Sequence, residues 1–431
     1  MSNKVIGFRF KPFSQRQRQI LNWWAASSPV NAADGIIADG AIRSGKTICM
    51  SLSFVIWAMT NFDGQNFGMA GKTIGSFRRN VLQVLKRMLK SRGYKYEDHR
   101  SDNLLIIRRN GKANNFYIFG GKDESSQDLV QGITLAGVFF DEVALMPESF
   151  VNQATARCSV DGSKFWFNCN PSGPAHWFKK EWIDRRDKKR LLYLHFTMDD
   201  NLSLSEKIKE RYRGQYSGIF YKRYIMGLWV VAEGIIYDMF DAAKHVVKIQ
   251  DVAEDLTDTC YISIDYGTQN ATVYKLWIKG KSGNWYSVRE YYYSGRDNKR
   301  QKTDAEYADD LEAFIDDAKP RAVIVDPSAA SFIAELRRRG IPTIKAKNDV
   351  LDGIREMAKL ITIGRIKWVD CCQHTITEFG AYAWDPKAAE RGEDAPIKEN
   401  DHCMDADRYF IFTILANKKA RVLNKKEKGF N

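Results

Sequence analysis

The chain has 431 residues, 44% hydrophobic and 13% aromatic, with 66 Lys+Arg against 53 Asp+Glu for a formal net charge of +13. That length allows two to four packed domains, and the composition excludes a disordered or fibrous chain. The basic excess points to a polyanionic partner over a merely soluble surface, and seven cysteines in no CxxC or zinc-type spacing exclude structural zinc and imply a reducing compartment.

The start, MSNKVIGFRFKPF, lacks an apolar signal core, and no apolar run approaches the roughly 18 residues of a membrane span. The expectation is a protein that stays inside the cell that makes it, with no membrane partner. Strand-like and helical runs alternate in both halves, which predicts an α/β chain with mainly parallel or mixed sheets.

In the first half, a strand GIIADG precedes a helix TICMSLSFVIWAM; a strand NFGMAG, a basic helix from Ser76 to Lys90 and a hairpin of NLLIIRR with NNFYIFG follow. Between the first strand and its helix lies GAIRSGKT, Gly40 to Thr47, which satisfies G-x-x-x-x-G-K-[ST] in the strand-to-helix context the mechanism requires. Its backbone N–H groups would cradle phosphates, Gly45 would permit close approach, Lys46 would reach the β and γ oxygens and Thr47 would ligate Mg²⁺.

The next apolar strand, LAGVFF, ends in Asp141-Glu142, as a Walker B segment does: Asp141 orients the Mg²⁺ shell and Glu142 polarises the attacking water. Asp followed by Glu favours hydrolysis by a motor-type ATPase over phosphoryl transfer to a small acceptor. The strand KFWFNCN then carries Asn170 at its end, ahead of a Pro turn.

A change of composition marks a connector, and the expected domains are 1–225, a connector 226–256, a second domain 257–417 and a basic tail 418–431. The second domain opens with three strands, CYISIDYG, ATVYKLWI and NWYSVREYYY, joined by short turns. A helix from Ala305 to Ala318, a strand RAVIVD, a helix ASFIAELRRR and a strand IPTIKAK follow, with further helices from Leu351, His374 and His402. Three antiparallel strands followed by alternating helices and strands predict an RNase H-like sheet.

Asp265 ends ISID and Asp326 ends AVIVD; carboxylates at strand ends are how a sheet assembles an oxygen-rich site for Mg²⁺ or Mn²⁺. On the last helix, Asp401, Asp405 and Tyr409 share a flank with His402, while Asp407 points elsewhere and is expected to be a solvated charge. Two cations about 4 Å apart would activate water and stabilise a leaving phosphodiester oxygen.

Through GAIRSGKT, VFFDE, FNCNPSGPAHWF, the connector ending YKRYIMGLWVVAEGIIYDMF, and IDYG, VDPSAA and DHCMDADRY, nearly the whole chain resembles the large terminase subunit of tailed bacteriophages, in the branch typified by the defective prophage PBSX. The resemblance implies a P-loop ATPase of the ASCE type that drives double-stranded DNA into the prohead, followed by an RNase H-like two-metal nuclease that cuts concatemeric genome. It implies ATP with Mg²⁺ at Gly40, Arg43, Ser44, Gly45, Lys46, Thr47, Asp141 and Glu142, and a coupling role for Asn170. It also implies nuclease metal ligands Asp265, Asp326 and Asp405, with Asp401 and His402 as auxiliaries.

It implies an adenine-reading glutamine as well, Gln17 with Gln15 and Gln19 as alternatives, and an arginine acting on a neighbouring subunit, with Arg157 as the candidate. DNA would be held through phosphates by Arg185–Arg190, Arg337–Arg339 and the tail. Expected partners are the portal protein, the small terminase subunit and further copies in a ring, from a monomer in free solution; the expected location is the host cytoplasm and transiently the prohead, not the mature virion. Two other readings remain open at this point: a helicase or translocase whose second half is a catalytically silent DNA-binding module, and a scaffold that does not itself hydrolyse ATP.

Overall fold

Six consecutive buried residues, Gly35–Gly40, form strand β1 and require a sheet covered on both faces. The computed structural model describes residues 10–267 and 270–416, and the basic tail expected to touch DNA lies outside the described residues. The chain divides into two units, one comprising 1–213, 219–231 and 390–393, the other 214–218, 232–389 and 394–431.

The first unit is built on an eight-stranded sheet. Besides β1 it contains β2 (Asn66–Gly71), β3 (Lys95–His99), β4 (Leu104–Arg109), β5 (Lys112–Gly120), β6 (Gly137–Asp141), β7 (Lys164–Asn168) and β8 (Leu191–Phe196). Their spatial order is β3-β4-β5-β2-β6-β7-β1-β8; the pairs from β5 to β8 are parallel, and β3-β4-β5 form antiparallel hairpins at one edge. One strand, β7, separates β1 from β6, the arrangement of an ASCE-type ATPase.

Helix α1 (Gln15–Asn22) begins at Ser14 with a reciprocal capping box to Gln17, and α2 (Lys46–Asn61) packs its Phe54 and Trp57 under the sheet. Trp57 lies 4.7 Å from Trp166, centroid to centroid, and Phe54 5.2 Å from the same ring. Gly137 admits this cluster, since a Cβ there would stand 2.7 Å from the Trp57 indole. Neither β3 nor β8 is foreseen in the sequence: β3 is a charged, exposed run, and β8 is a half-buried edge strand directly behind a stretch of basic residues.

The second unit contains β9 (Val246–Val247), β10 (Leu256–Asp265), β11 (Ala271–Gly280), β12 (Trp285–Ser294), β13 (Val323–Val325), β14 (Thr343–Lys345) and β15 (Ile366–Val369), in the order β14-β13-β10-β11-β12-β15-β9. β10, β11 and β12 pair antiparallel, and β13 then joins β10 in parallel, which is the expected RNase H-like arrangement. Short β15 and β9 extend it beyond β12.

An ion pair with a fully buried lysine crosses this sheet. Lys275 on β11 lies opposite Glu290 on β12, with Nζ 3.0 Å from the carboxylate and 2.5 Å from Thr375 Oγ1. The same carboxylate accepts the backbone N–H groups of His374 and Thr375, tying the Gln373–Ala381 helix to the sheet. Despite desolvation, the Lys275 ammonium holds Glu290 down to about 2.

Removing one partner strands the other charge in the interior, so Lys275→Met is expected to cost about 3–5 kcal/mol. Thermal unfolding should show a clear fall in the transition of the second unit, partly recovered in Lys275→Met/Glu290→Gln.

Candidate functional site

The first site forms where β1 turns into α2. Gly40 has φ +119 and a Cβ on it would stand 2.0 Å from the Phe196 carbonyl oxygen, so only glycine lets the loop leave the sheet here. Gly45 caps α2 at φ 86, and Arg43 adopts φ 59 with its side chain 5.5 Å from the Tyr212 ring. The Lys46 ammonium is buried and bonds the carbonyls of Gly40 (3.0 Å) and Ala41 (2.7 Å), Ser44 Oγ (3.2 Å) and Asn170 Oδ1 (3.3 Å). Burial lowers it to about 8, against the pull of Asp39, Asp141 and Glu142.

Because β7 lies between β1 and β6, its last residue falls beside the Asp141 carboxylate. Thr47 Oγ1 donates to Asp141 Oδ1 at 2.9 Å, and the Asn168 amide donates to both Thr47 Oγ1 (2.8 Å) and Asp141 Oδ1 (2.5 Å). Asn168 is 3% exposed, and its Oδ1 has no hydrogen-bond partner. A buried acceptor left open beside a carboxylate and a hydroxyl suits the hydrated shell of a hard cation. Burial, with Glu142 next to it, raises Asp141 to about 7.

Asn168 is the residue sequence reasoning missed. Its only signal is a polar residue closing the apolar strand FWF, two positions before the Asn170 that drew attention instead.

Of the three glutamines on α1, Gln17 faces this loop. It is buried, donates to the Ser44 carbonyl at 3.3 Å and accepts from the Ser14 backbone N–H. Gln15 and Gln19 instead line a separate cavity of about 410 Å³ with Trp23 and Leu192. Arg157 ends the Glu148–Ala156 helix half-buried, with its Nε enclosed and unpartnered.

The second site lies at the ends of β10 and β13. Residues 262–264 pair in parallel with 323–325, which brings Asp265 and Asp326 to the same end of two adjacent strands. The His402–Phe410 helix packs on β10 and β11 and faces both carboxylates. His402 Nδ1 is 3.0 Å from Asp265 Oδ2, and the Tyr409 hydroxyl donates to Asp326 Oδ2.

Asp405 accepts from Arg408, at 2.8 Å from Nη2, and lies 3.4 Å from Lys398 Nζ, which is 3.2 Å from Asp401. Burial raises Asp265 to about 6, with Asp405 and Asp401 adding to it; against its own burial, Asp326 is held below its ordinary range by Tyr409 and Ser328. Among the described residues no three His, Cys, Asp or Glu side chains stand close enough to grip a metal ion as they are. Each carboxylate is taken up by a protein donor instead, although an all-oxygen set fits a hard cation.

Two expectations change. Asp407 is not a solvated charge: it is fully buried and accepts from the Trp368 indole at 2.7 Å, because this helix is packed on its far side as well. Arg338 and Arg339 are taken up by Glu335 and Asp309, and Arg337 Nε bonds Thr343 Oγ1, so this run offers less free charge to DNA than its sequence suggests. In the 185–190 run, Arg185 pairs with Glu181 and Arg190 with Asp34, while Lys189 lies 4.2 Å from the Trp182 ring.

Glu378 sets the start of the last helix, accepting from the backbone N–H groups of Cys403 (2.8 Å) and Met404 (3.1 Å). Burial raises it from 4.5 to about 8. The folded protein therefore holds this proton more tightly than the unfolded chain, and that contribution is complete below pH 4.5 and lost as pH rises through about 8. Glu378→Gln keeps an acceptor and removes the titration. Its melting temperature relative to the unaltered protein should rise steadily between about pH 5 and about pH 8; a constant offset would contradict this.

A family model described as "Terminase large subunit, T4likevirus-type, N-terminal" matches residues 37–244. The solved large terminase of a thermophilic bacteriophage is 63% identical, covers 94% of this chain and 100% of its own, and superposes with a TM-score of 0.91. The same thermophilic phage protein in complex with ATP-gamma-S, at 62% identity and the same coverage, gives a TM-score of 0.88. The large terminase of Escherichia phage T5 is 26% identical over 350 residues, 78% of this chain and 77% of the T5 protein.

Proposed function

The chain belongs to the large terminase subunits, packaging ATPases that carry a nuclease domain, and from that premise we propose that its first unit hydrolyses ATP to move double-stranded viral DNA into the prohead while its second unit cuts that DNA. The observation that carries this is the contact of Thr47, Asp141 and Asn168 at the mouth of the P-loop, in the same chain as Asp265 and Asp326 on adjacent strand ends. A helicase with a silent second half is not retained, given the extent of the likeness to the thermophilic phage's large terminase.

In this reading the phosphates take the loop's N–H groups, and Lys46 exchanges carbonyl oxygens for phosphate oxygens. Thr47 and Asp141, both bonded by the Asn168 amide, would hold Mg²⁺, and Glu142 would orient the attacking water. The thermophilic phage protein is solved in complex with ATP-gamma-S, which supports ATP as the nucleotide of this chain. Gln17 contacts the loop from α1, which supports it as the glutamine that senses the base, at the cost of exchanging its bond to Ser44. Arg157 could serve a neighbouring subunit only if its guanidinium were drawn out of its half-buried seat.

Divalent cations at Asp265, Asp326 and Asp405, Mg²⁺ or Mn²⁺, would neutralise the carboxylates and make a bound water more acidic. The chain's own part is to hold the two strand-end carboxylates through His402 and Tyr409 and to present Asp405 and Asp401 on the facing helix. Viral DNA, the portal protein, the small subunit and further copies in a ring are the partners this reading implies, in the host cytoplasm. No helix among the described residues is long and apolar enough to cross a membrane.

Lys46→Ala should abolish ATP hydrolysis and leave Mn²⁺-dependent plasmid cutting intact, whereas Asp326→Asn should do the reverse. Loss of both activities in either variant, with the fold retained, would defeat the assignment of two separate centres. Asn168→Ala should lower ATP hydrolysis by about tenfold or more, as expected when a buried hydrogen-bonding group at the metal shell is removed, and leave cutting unchanged.

A further inference from the structure

The segment 224–230, by which the chain leaves the first unit, lies along the first half of the P-loop and meets it, or the residue just before it, at Tyr224, Gly227 and Trp229. The Ile42 N–H donates to the Tyr224 carbonyl at 2.9 Å. Gly227, at φ +75, comes so close that a Cβ would stand 2.9 Å from the Ala41 nitrogen and 3.0 Å from Gly40 Cα. Two residues on, the Trp229 indole N–H donates to Asp39 Oδ2 at 2.7 Å. Arg223 closes the segment on itself through the Val230 carbonyl. Met226 and Leu228, between the inward positions, are exposed.

Asp39 immediately precedes the loop and is fully buried. Its other oxygen lies 2.9 Å from His195 Nδ1, and its charge acts on the Tyr193 phenol and on the Lys46 ammonium. A buried carboxylate one donor short shifts or pulls on the groups around it, and these include the lysine that has to be free for phosphate. The ring of Trp229 also lies 6.1 Å from His176, in the NPSGPAHW turn after Asn170.

We propose that Trp229 is a positioning residue for the nucleotide site: its indole N–H fixes the Asp39 carboxylate and, with Gly227 and the Tyr224 carbonyl, braces Gly40–Ile42 in the shape that receives phosphate. Trp229 touches no reacting atom; it acts through Asp39 and the loop backbone. This rests on the reading of the loop as the ATP site and adds a residue that the P-loop and Walker B motifs do not contain.

The test uses the full-length protein, with Mn²⁺-dependent plasmid cutting as the check that the chain is folded. Trp229→Phe keeps an aromatic ring on the side of His176 and removes the indole N–H together with part of the ring volume. It is expected to weaken ATP-gamma-S binding by about tenfold to a hundredfold, the range for a charged acceptor losing one buried donor. It should also speed amide hydrogen exchange at residues 41–44 in the absence of nucleotide, and Asp39→Asn added to it should cost little more. Gly227→Ala should give the same two changes by pushing on the loop directly.

If Trp229→Phe is silent in both measurements, or if Asp39→Asn added to it costs as much again, the indole N–H does not act through Asp39 and the proposal is overturned. Lys46→Ala separates the two layers: if it still hydrolyses ATP, the ATP-site reading itself fails. If it is inactive while Trp229→Phe binds and exchanges normally, only the positioning role fails.

Discussion

Charge taken out of water has to be answered by a specific partner, and that constraint shapes both units. Asp39 and Asp141 end strands inside the first unit and are met by Trp229, His195, Thr47 and Asn168. In the second unit Lys275 and Glu290 answer each other across the sheet, and Asp265, Asp326 and Asp407 are answered by His402, Tyr409 and Trp368. An unanswered buried carboxylate would change its protonation or distort its surroundings. The donors are thus as much part of each site as the acids.

Strand order decides which donors are available. With β7 between β1 and β6, the residue ending β7 is carried to the gap between the lysine loop and the Asp141 carboxylate, and Asn168 fills it. With β13 beside β10, two carboxylates far apart in sequence become neighbours, and one helix laid over the sheet supplies the rest.

Much of this was legible in the sequence because its signals are local. A glycine-bounded loop between an apolar strand and a helix, acids closing apolar runs, and the long strands of β10 to β12 each show in a short stretch of chain. What escaped depends on tertiary context. β8 and β3 are edge strands without alternation, and β15 and β9 are too short to show a period. Helical spacing told which residues share a flank with Asp405 but not that the opposite flank was also covered, so Asp407 was misread. Asn168 carries no motif of its own, and its role comes from the strand that lies beside it.

The second site is assembled from few independent parts. Asp265 and Asp326 sit on neighbouring strands of one sheet, whose spacing is fixed by the ladder, while Asp401, His402, Asp405 and Tyr409 ride on a single helix and its cap. All these side chains therefore share essentially one adjustable relation, the seating of that helix on the sheet. Little conformational entropy is left to lose when ligands close on a substrate or cation, so the acids need only small side-chain adjustments instead of a search. The same arrangement makes the site brittle: a slight rotation of the helix, released at the Glu378 cap or the Asp407–Trp368 bond, would misplace every group it carries at once.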